Sequence, residues 1–319
     1  NKMNIKSEKY LVLGGAGFIG SHFCDKLIDT NQIICVDNLS LGSIQNIEHL
    51  LNNNKFKFHN LDINSEEFFA LLKNEKIDTI IHLAANSDIA LSYKNPQIDF
   101  DNTLNTTINA LKLMRQNDIK KIIFSSSSAM YGEHDIAINE DIGPLLPHSH
   151  YGAAKLASEA FISSFCENYN FQSWIIRFPN VIGERSTHGV IHDFFNKIKK
   201  DKTQLTVLGN GLQEKPYLYV KELIDGILYC YHNSKNKINY FNLGTESSTS
   251  VNKIIEIMNK IFNINPKIKY TGGSKGWIGD IPKFKYDLSK IQNLGWKSTM
   301  TSDEAVKTTF KLLQNQWMH

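Results

Sequence analysis

Tyr151 and Lys155 stand four residues apart in Tyr-Gly-Ala-Ala-Lys, so on a helix the phenol and the ammonium share one face. A phenol of ordinary acidity, with a pKa near 10, is a poor base at neutral pH, but a neighbouring cation favours its ionised form. Bringing that pKa to roughly 7 requires about 4 kcal/mol of differential interaction, which a closed pocket can supply. Such a phenolate can take the proton of an alcohol while a hydride leaves the same carbon. Upstream, the apolar run Ile122-Ile123-Phe124 ends in Ser125-Ser126-Ser127-Ser128. A strand that ends in hydroxyls delivers them to the ligand edge of a sheet, where one of them can hydrogen-bond the reacting oxygen. Taken singly, each pattern also fits a plainer role, as an exposed helical pair or a polar strand end bonded to backbone.

The sequence also indicates what could accept the hydride. Gly14-Gly15-Ala16-Gly17-Phe18-Ile19-Gly20 follows the apolar run Tyr10–Leu13 and leads into a helical pattern, Ser21–Ile28. A second apolar run then ends in an acid, Ile33-Ile34-Cys35-Val36-Asp37. Strand, glycine turn, helix and strand closing on a carboxylate form a dinucleotide-binding unit. The glycines let the backbone approach a pyrophosphate, whose charge meets the free N–H groups of the helix start. Asp37 is placed to accept from an adenosine ribose and would repel a 2′-phosphate, which favours NAD over NADP.

The elements that must position these groups can be read as well. Strands are expected at Tyr10–Leu13, Ile33–Val36, Lys55–His59, Thr79–Leu83, Lys121–Ser125 and Ser173–Arg177, with helices at Ser65–Lys73, Gln97–Asn117 and Tyr151–Tyr169. Apolar strands alternating with helices predict an α/β fold, a doubly wound parallel sheet with helices on both faces. Beyond Phe178 glycine-punctuated loops appear (Gly183–Gly189, Leu208–Gly211, Gly272–Gly279), with helices at Val190–Lys200, Val220–Tyr231 and Val251–Phe262. The expected division is a Rossmann dinucleotide domain over 1–178, rejoined by about 213–241. A smaller mixed C-terminal domain, 179–212 and 242–319, would close over the carboxyl ends of the strands.

Bulk properties exclude several classes. The 319 residues suffice for one large or two modest domains, and a net charge of +3 with scattered lysines does not suggest nucleic acid. Cys24, Cys35, Cys166 and Cys230 have no metal-like spacing, so no metal is expected, and they read as reduced, mostly buried thiols of a cytoplasmic protein. No stretch is long enough to cross a membrane.

Together the motifs resemble the extended short-chain dehydrogenase/reductase family, in its NAD-dependent nucleotide-sugar epimerase/dehydratase branch. The resemblance covers nearly the whole chain. It rests on GGAGFIG, Asp37-Asn38-Leu39, Leu61-Asp62-Ile63, His82-Leu83-Ala84-Ala85, SSSSAMYG, YGAAK, Arg177-Phe178-Pro179-Asn180-Val181-Ile182-Gly183, Gly209-Asn210-Gly211-Leu212-Gln213, Asn242-Leu243-Gly244 and Leu294-Gly295-Trp296. It implies NAD held by Gly14, Gly17, Phe18, Ile19, Asp37 and Asn38, with Asp62 and Ile63 at the adenine. Ala84 and Ala85 would line the pyrophosphate and ribose, and Asn102, Ser125, Tyr151, Lys155 and Phe178 would complete the cofactor set. The catalytic hydroxyl lies four residues before the tyrosine of the Tyr131-Gly132 pair, which gives Ser127, acting with Tyr151 and Lys155. A nucleotide-diphosphate sugar would meet Ser87, Ser127, Asn180, Arg185, Val190, Lys215, Tyr217, Lys275 and Trp277. A homodimer built from Gln97–Asn117 and Tyr151–Tyr169 is also implied, with Leu104, Ile108, Leu111, Phe161 and Phe165 as candidate apolar contacts.

Three departures from the family pattern narrow the chemistry. The 4,6-dehydratases place an acidic pair after the catalytic hydroxyl, because elimination of water needs a proton donor. Here Ser128 and Ala129 occupy those positions, which argues against dehydration. Gln213-Glu214-Lys215-Pro216-Tyr217 replaces the usual Arg-Asp pair. In Lys275-Gly276-Trp277-Ile278-Gly279-Asp280, Trp277 takes the place of an arginine. Lysine still neutralises phosphate but lacks the bidentate fork of arginine, and Arg185, His188 and His192 could add contacts. The leading expectation is 4-epimerisation with return of the hydride. The alternatives are net 4-dehydrogenation and a non-catalytic NAD-binding protein.

Overall fold

The structure is a computed structural model that describes residues 6–86, 88–276 and 285–318. The first half runs β1 (Lys9–Leu13), α1 (Phe18–Leu27), β2 (Gln32–Asp37), β3 (Phe56–Asn60), α2 (Glu66–Leu72), β4 (Thr79–His82), α3 (Ile89–Lys94), α4 (Gln97–Asp99), a π-helical segment (Phe100–Asn105), α5 (Thr106–Asn117), β5 (Lys121–Ser127), α6 (His150–Tyr169) and β6 (Gln172–Phe178). The second half runs β7 (Asn180–Ile182), α7 (Val190–Lys200), β8 (Gln204–Val207), β9 (Glu214–Lys215), β10 (Tyr217–Tyr219), α8 (Val220–Asn233), β11 (Ile238–Asn242), β12 (Thr249–Ser250), α9 (Val251–Phe262), β13 (Lys267–Tyr270), α10 (Ser289–Leu294) and α11 (Ser302–Met318).

Seven parallel strands form the main sheet in the order β11-β6-β5-β4-β1-β2-β3. Along β1, Tyr10 and Val12 pack into one core while Leu11 and Leu13 pack into the other. The period-two alternation thus buries both faces, which explains why the strands read as unbroken apolar runs. The order reverses between β1 and β4, and a crevice opens there at the carboxyl ends. All six expected strands and the doubly wound parallel sheet are present. The seventh strand, β11, was not legible as a strand, but it falls at the end of the expected returning segment, where α8 packs on α1 and β11 pairs with β6.

The remaining strands form three two-stranded sheets: β7 with β10 and β8 with β13 in parallel, β9 with β12 antiparallel. Helix α11 packs on α7, α9 and β10 and closes this smaller lobe. The expected single helix Gln97–Asn117 is instead α4, a π segment and α5. Of the expected dimer contacts, Leu111 is buried in the monomer core, Leu104, Ile108 and Phe165 are half-buried, and Phe161 is 45% exposed. Among the described residues no helix is long and apolar enough to cross a membrane.

Candidate active site

The cofactor end grows out of the β1–α1 turn. Gly14 has φ +82°, and a Cβ there would lie 3.0–3.2 Å from the backbone of Leu83 and Ala84. The turn therefore lies directly against the extension of β4, at the reversal of strand order. No side chain caps α1 at Gly17, which leaves the N–H groups of Phe18 and Ile19 among the orphan donors of the first turn. A cradle that a Cβ would fill, opening on an uncapped helix start, fits a pyrophosphate.

Asp37 closes β2, is 7% exposed, and accepts from the N–H groups of Ala16 (3.0 Å) and Leu39 (2.8 Å). Burial pushes its carboxyl above the usual carboxylate range, and these two donors pull it back. Its oxygens keep further acceptor sites for a ribose. Asn38, Asp62, Ile63, Ala84, Ala85, Ser125 and Phe178 also emerge at strand carboxyl ends around the crevice. Within this set Asn38 bonds its own turn through Ser40, Asp62 is exposed, and Ile63 is buried. Asn102 lies apart from this description: it sits in the π segment with an exposed side chain.

The reacting end depends on local sequence in a definite way. Ser149 caps α6 by accepting from the N–H of Gly152 at 3.0 Å, which fixes the turn that carries Tyr151. A Cβ on Gly152 would lie 2.3 Å from the carbonyl oxygen of Ala129, so only glycine lets α6 touch the 128–131 turn. That contact brings the Tyr151 phenol into a hydrogen bond with the Ser127 hydroxyl. Ser127 and Ser125 face one side of β5, and Ser126 faces the other, where it donates to Glu159 at 2.5 Å. Lys155, one turn beyond Tyr151 and 2% exposed, donates to the Ser125 carbonyl at 2.5 Å and to its Oγ at 3.4 Å.

The electrostatics correct one expectation. In the pocket without cofactor the Tyr151 phenol lies above its ordinary value rather than below it. Burial pushes the phenol up to about 12, the Asp99 charge raises it further, and the Ser127 hydrogen bond lowers it. The lysine lies 5.8 Å from the centre of the tyrosine ring, and burial lowers its own pKa to about 7 against the pull of Glu159 and Asp99. A positive charge arriving with a bound cofactor would favour the ionised phenol.

Beneath the serines lies a polar layer that the sequence did not disclose. Glu159 accepts from Arg177 at 2.8 and 3.2 Å, and Arg177 also donates at 2.8 Å to the Tyr131 phenol and to the Glu140 carbonyl. Glu159 stands four residues beyond Lys155 on the same helix face, which is the one signal that could have pointed to it. Asp99, 1% exposed, is a second missed residue, and nothing in its sequence context marks it. Ser128 bonds the Tyr286 phenol, which donates to the Phe178 carbonyl at 3.0 Å.

A cleft open to solvent lies beside β7 and the start of α7. Asn180, Val190, Lys215 and Tyr217 line it, together with Ser186, His188 and His192. Burial, with His188 and Lys199 nearby, lowers the His192 pKa, so its ring is neutral at pH 7. Arg185 is not in the lining. Its guanidinium instead ties the loop to α1, through Asp25 at 2.8 Å and Ser21 at 3.2 Å. Lys275 is exposed and also outside the lining, while Ser87 and Trp277 lie outside the described residues. Tyr151 and Ser127 are likewise not in the lining, and Asn180, two residues past Phe178, connects the cleft to the sheet edge. No group of three or more His, Cys, Asp or Glu able to hold a metal occurs among the described residues.

Comparison with known proteins gives the family. A model of the NAD dependent epimerase/dehydratase family matches residues 10–244. The UDP-glucose 4-epimerase of Lactobacillus helveticus is 32% identical over 327 residues, covering 95% of this chain and 96% of that protein. A crystal structure of UDP-galactose 4-epimerase shares 31% identity at a TM-score of 0.85, covering 97% of this chain and 99% of that one. The UDP-glucuronic acid 4-epimerase of Bacillus cereus, solved with UDP-glucuronic acid and NAD, shares 27% identity at a TM-score of 0.88, with coverage of 97% and 99%. With a family match over most of its length, a parallel sheet of the same design and a glycine cradle at its reversal point, this chain belongs to the NAD-dependent epimerase/dehydratase family and is an NAD-dependent enzyme of the extended short-chain dehydrogenase/reductase type.

Proposed function

We propose that the enzyme is a 4-epimerase of a nucleotide-diphosphate sugar, with a uridine diphosphate sugar as the first candidate. The observation that carries this reading is the Ser127–Tyr151 hydrogen bond beside Lys155, followed at 128 and 129 by residues with no carboxyl group. That set can move a hydroxyl proton, and positions 128 and 129 offer no acid for eliminating water. The uridine nucleotide is suggested by the relatives, which are named for UDP-glucose, UDP-galactose and UDP-glucuronic acid.

In this reading Gly14, Gly17, Phe18, Ile19, Asp37, Ala84 and Ala85 hold NAD, whose chemistry is to accept a hydride and give it back. Ser127 holds the C4 oxygen of the sugar. Tyr151 takes the C4 hydroxyl proton and later returns it, while Lys155 anchors the floor of the pocket through Ser125. Asn180, Val190, Lys215 and Tyr217 would receive the diphosphate and nucleoside in the cleft, and the uncapped start of α7 at Gly189 favours an anion. Phe100 (53% exposed), Phe161 (45%) and Tyr169 (38%) support a homodimer through the α5–α6 side. Four free, buried cysteines support a cytoplasmic setting.

The reading is tested by incubating the enzyme with UDP-glucose, UDP-N-acetylglucosamine and UDP-glucuronic acid and separating the products. A product of equal mass with C4 inverted supports it. A 4-keto product with accumulating NADH absorbance replaces it with net dehydrogenation, and loss of water replaces it with dehydration.

A further inference from the structure

The chain leaves β2 by folding back over the glycine turn. Asp37 accepts from the N–H of Leu39 at 2.8 Å, and Leu39 takes the left-handed conformation, with φ +60°. A leucine holds that conformation only where its surroundings enforce it. The segment that follows lies against Ala16, the third residue of the Gly14–Gly17 turn. A Cβ on Gly42 would be 2.7 Å from Asp37 Oδ2 and 2.9 Å from the Ala16 carbonyl carbon. One turn of 3-10 helix, Ile44–Asn46, ends the segment.

The backbone of Ala16 is bonded on both sides. Its N–H donates to Asp37 Oδ2 at 3.0 Å. Its carbonyl accepts twice, from the Ser43 N–H at 3.0 Å and from Asn46 Nδ2 at 2.9 Å. Ala16 is fully buried, so that carbonyl needs a partner, and the Ser43 backbone supplies one whatever the side chains are. The bond from the half-buried Asn46 is additional to this need. Two donors converging on one carbonyl oxygen restrict the direction in which its peptide can point. The peptide so restricted lies between two groups that face the cofactor, the Asp37 carboxylate and the uncapped start of α1.

We propose that Asn46 is a positioning residue for NAD: its amide clamps Ala16, and so holds the Asp37 carboxylate and the glycine turn in the mutual orientation that receives an adenosine ribose and a pyrophosphate. Asn46 acts through Ala16 and need not touch the cofactor. The clamp is present before NAD arrives, so what it contributes is preorganisation, and without it binding must also order the turn. The inference rests on the placement of NAD at Asp37 and the glycine turn, and it does not depend on which sugar is converted.

The test is the affinity of the nucleotide-free enzyme for NAD, measured by titration calorimetry beside the melting temperature of the same sample. Asn46→Ala should raise the Kd for NAD about fivefold, the effect of losing one neutral hydrogen bond. Asn46→Leu keeps the size of the side chain and lacks the donor, so it should do the same and keeps the test decisive if Asn46→Ala misfolds. ADP-ribose carries the adenosine ribose and the pyrophosphate without the nicotinamide, and its affinity should fall by the same factor. A merely structural role would lower the melting temperature and leave the Kd where it was. That result reduces Asn46 to a loop-packing group and overturns the proposal, as does a loss of NAD affinity with ADP-ribose unaffected. Asp37→Ala separates the two claims. Should it leave NAD affinity unchanged, the placement of the cofactor falls, and the proposal with it. Should it weaken NAD while the Asn46 variants do not, the proposal alone falls.

Discussion

At the scale of single residues, the chemistry turns on a phenol that its own pocket keeps neutral. Tyr151→Phe should lower kcat by about a thousandfold while leaving the melting temperature unchanged, a result that steady-state kinetics and calorimetry can check together. Lys155 has a pH signature of its own. Its folded pKa of about 7 lies below the ordinary lysine value of 10.5, so between these values the unfolded chain holds a proton that the native protein lacks. Stability from this group therefore rises with pH across that window. Melting curves without cofactor should show wild type gaining on Lys155→Met as pH climbs from neutral towards 10, and a constant gap would contradict the burial argument. Tyr151, Lys155 and Ser127 could be singled out in the sequence because spacing and family motif mark them. Asp99 could not, because an aspartate in Gln-Ile-Asp-Phe looks like any surface acid until the fold buries it.

Elements convert these residues into a site through two close contacts. Gly152 admits the carbonyl of Ala129, so Gly152→Ala must push the first turn of α6 away from the serine turn. We expect a loss of about 2 kcal/mol in stability and a larger loss in kcat than in substrate binding, measurable by denaturation and by separating kcat from KM. Below, Arg177 and Glu159 join α6 to β6 at 7% and 8% side-chain exposure. Glu159→Gln strands the guanidinium and should cost about 3 kcal/mol in urea unfolding, whereas a surface pair would cost almost nothing. The six early strands were readable because sheet faces buried on both sides leave continuous apolar runs. The strand Ile238–Asn242 was not, since Ile-Asn-Tyr-Phe-Asn is short and half polar and gains its place only by pairing with β6. The widened turn at Phe100–Asn105 was equally hidden, because helical periodicity over 97–117 does not reveal a π segment inside it.

On the scale of the whole molecule, the main sheet offers its carboxyl edge to the cofactor, and the smaller lobe places a cleft beside it. Arg185, expected at the substrate, ties the 183–189 loop to α1 through Asp25 and Ser21 and is not among the residues that line the cleft. If the exposed Phe100, Phe161 and Tyr169 mediate dimerisation, Phe161→Glu should shift the sedimentation profile to monomer while leaving the fold intact by circular dichroism. The most direct test of the central claim, that a hydride leaves C4 and returns to the same carbon, uses a substrate that carries deuterium at C4. After conversion by the NAD-loaded enzyme, mass spectrometry and NMR should find the label retained at C4 of the inverted sugar, with no net NADH. Loss of the label to solvent or its accumulation in released NADH would contradict the account.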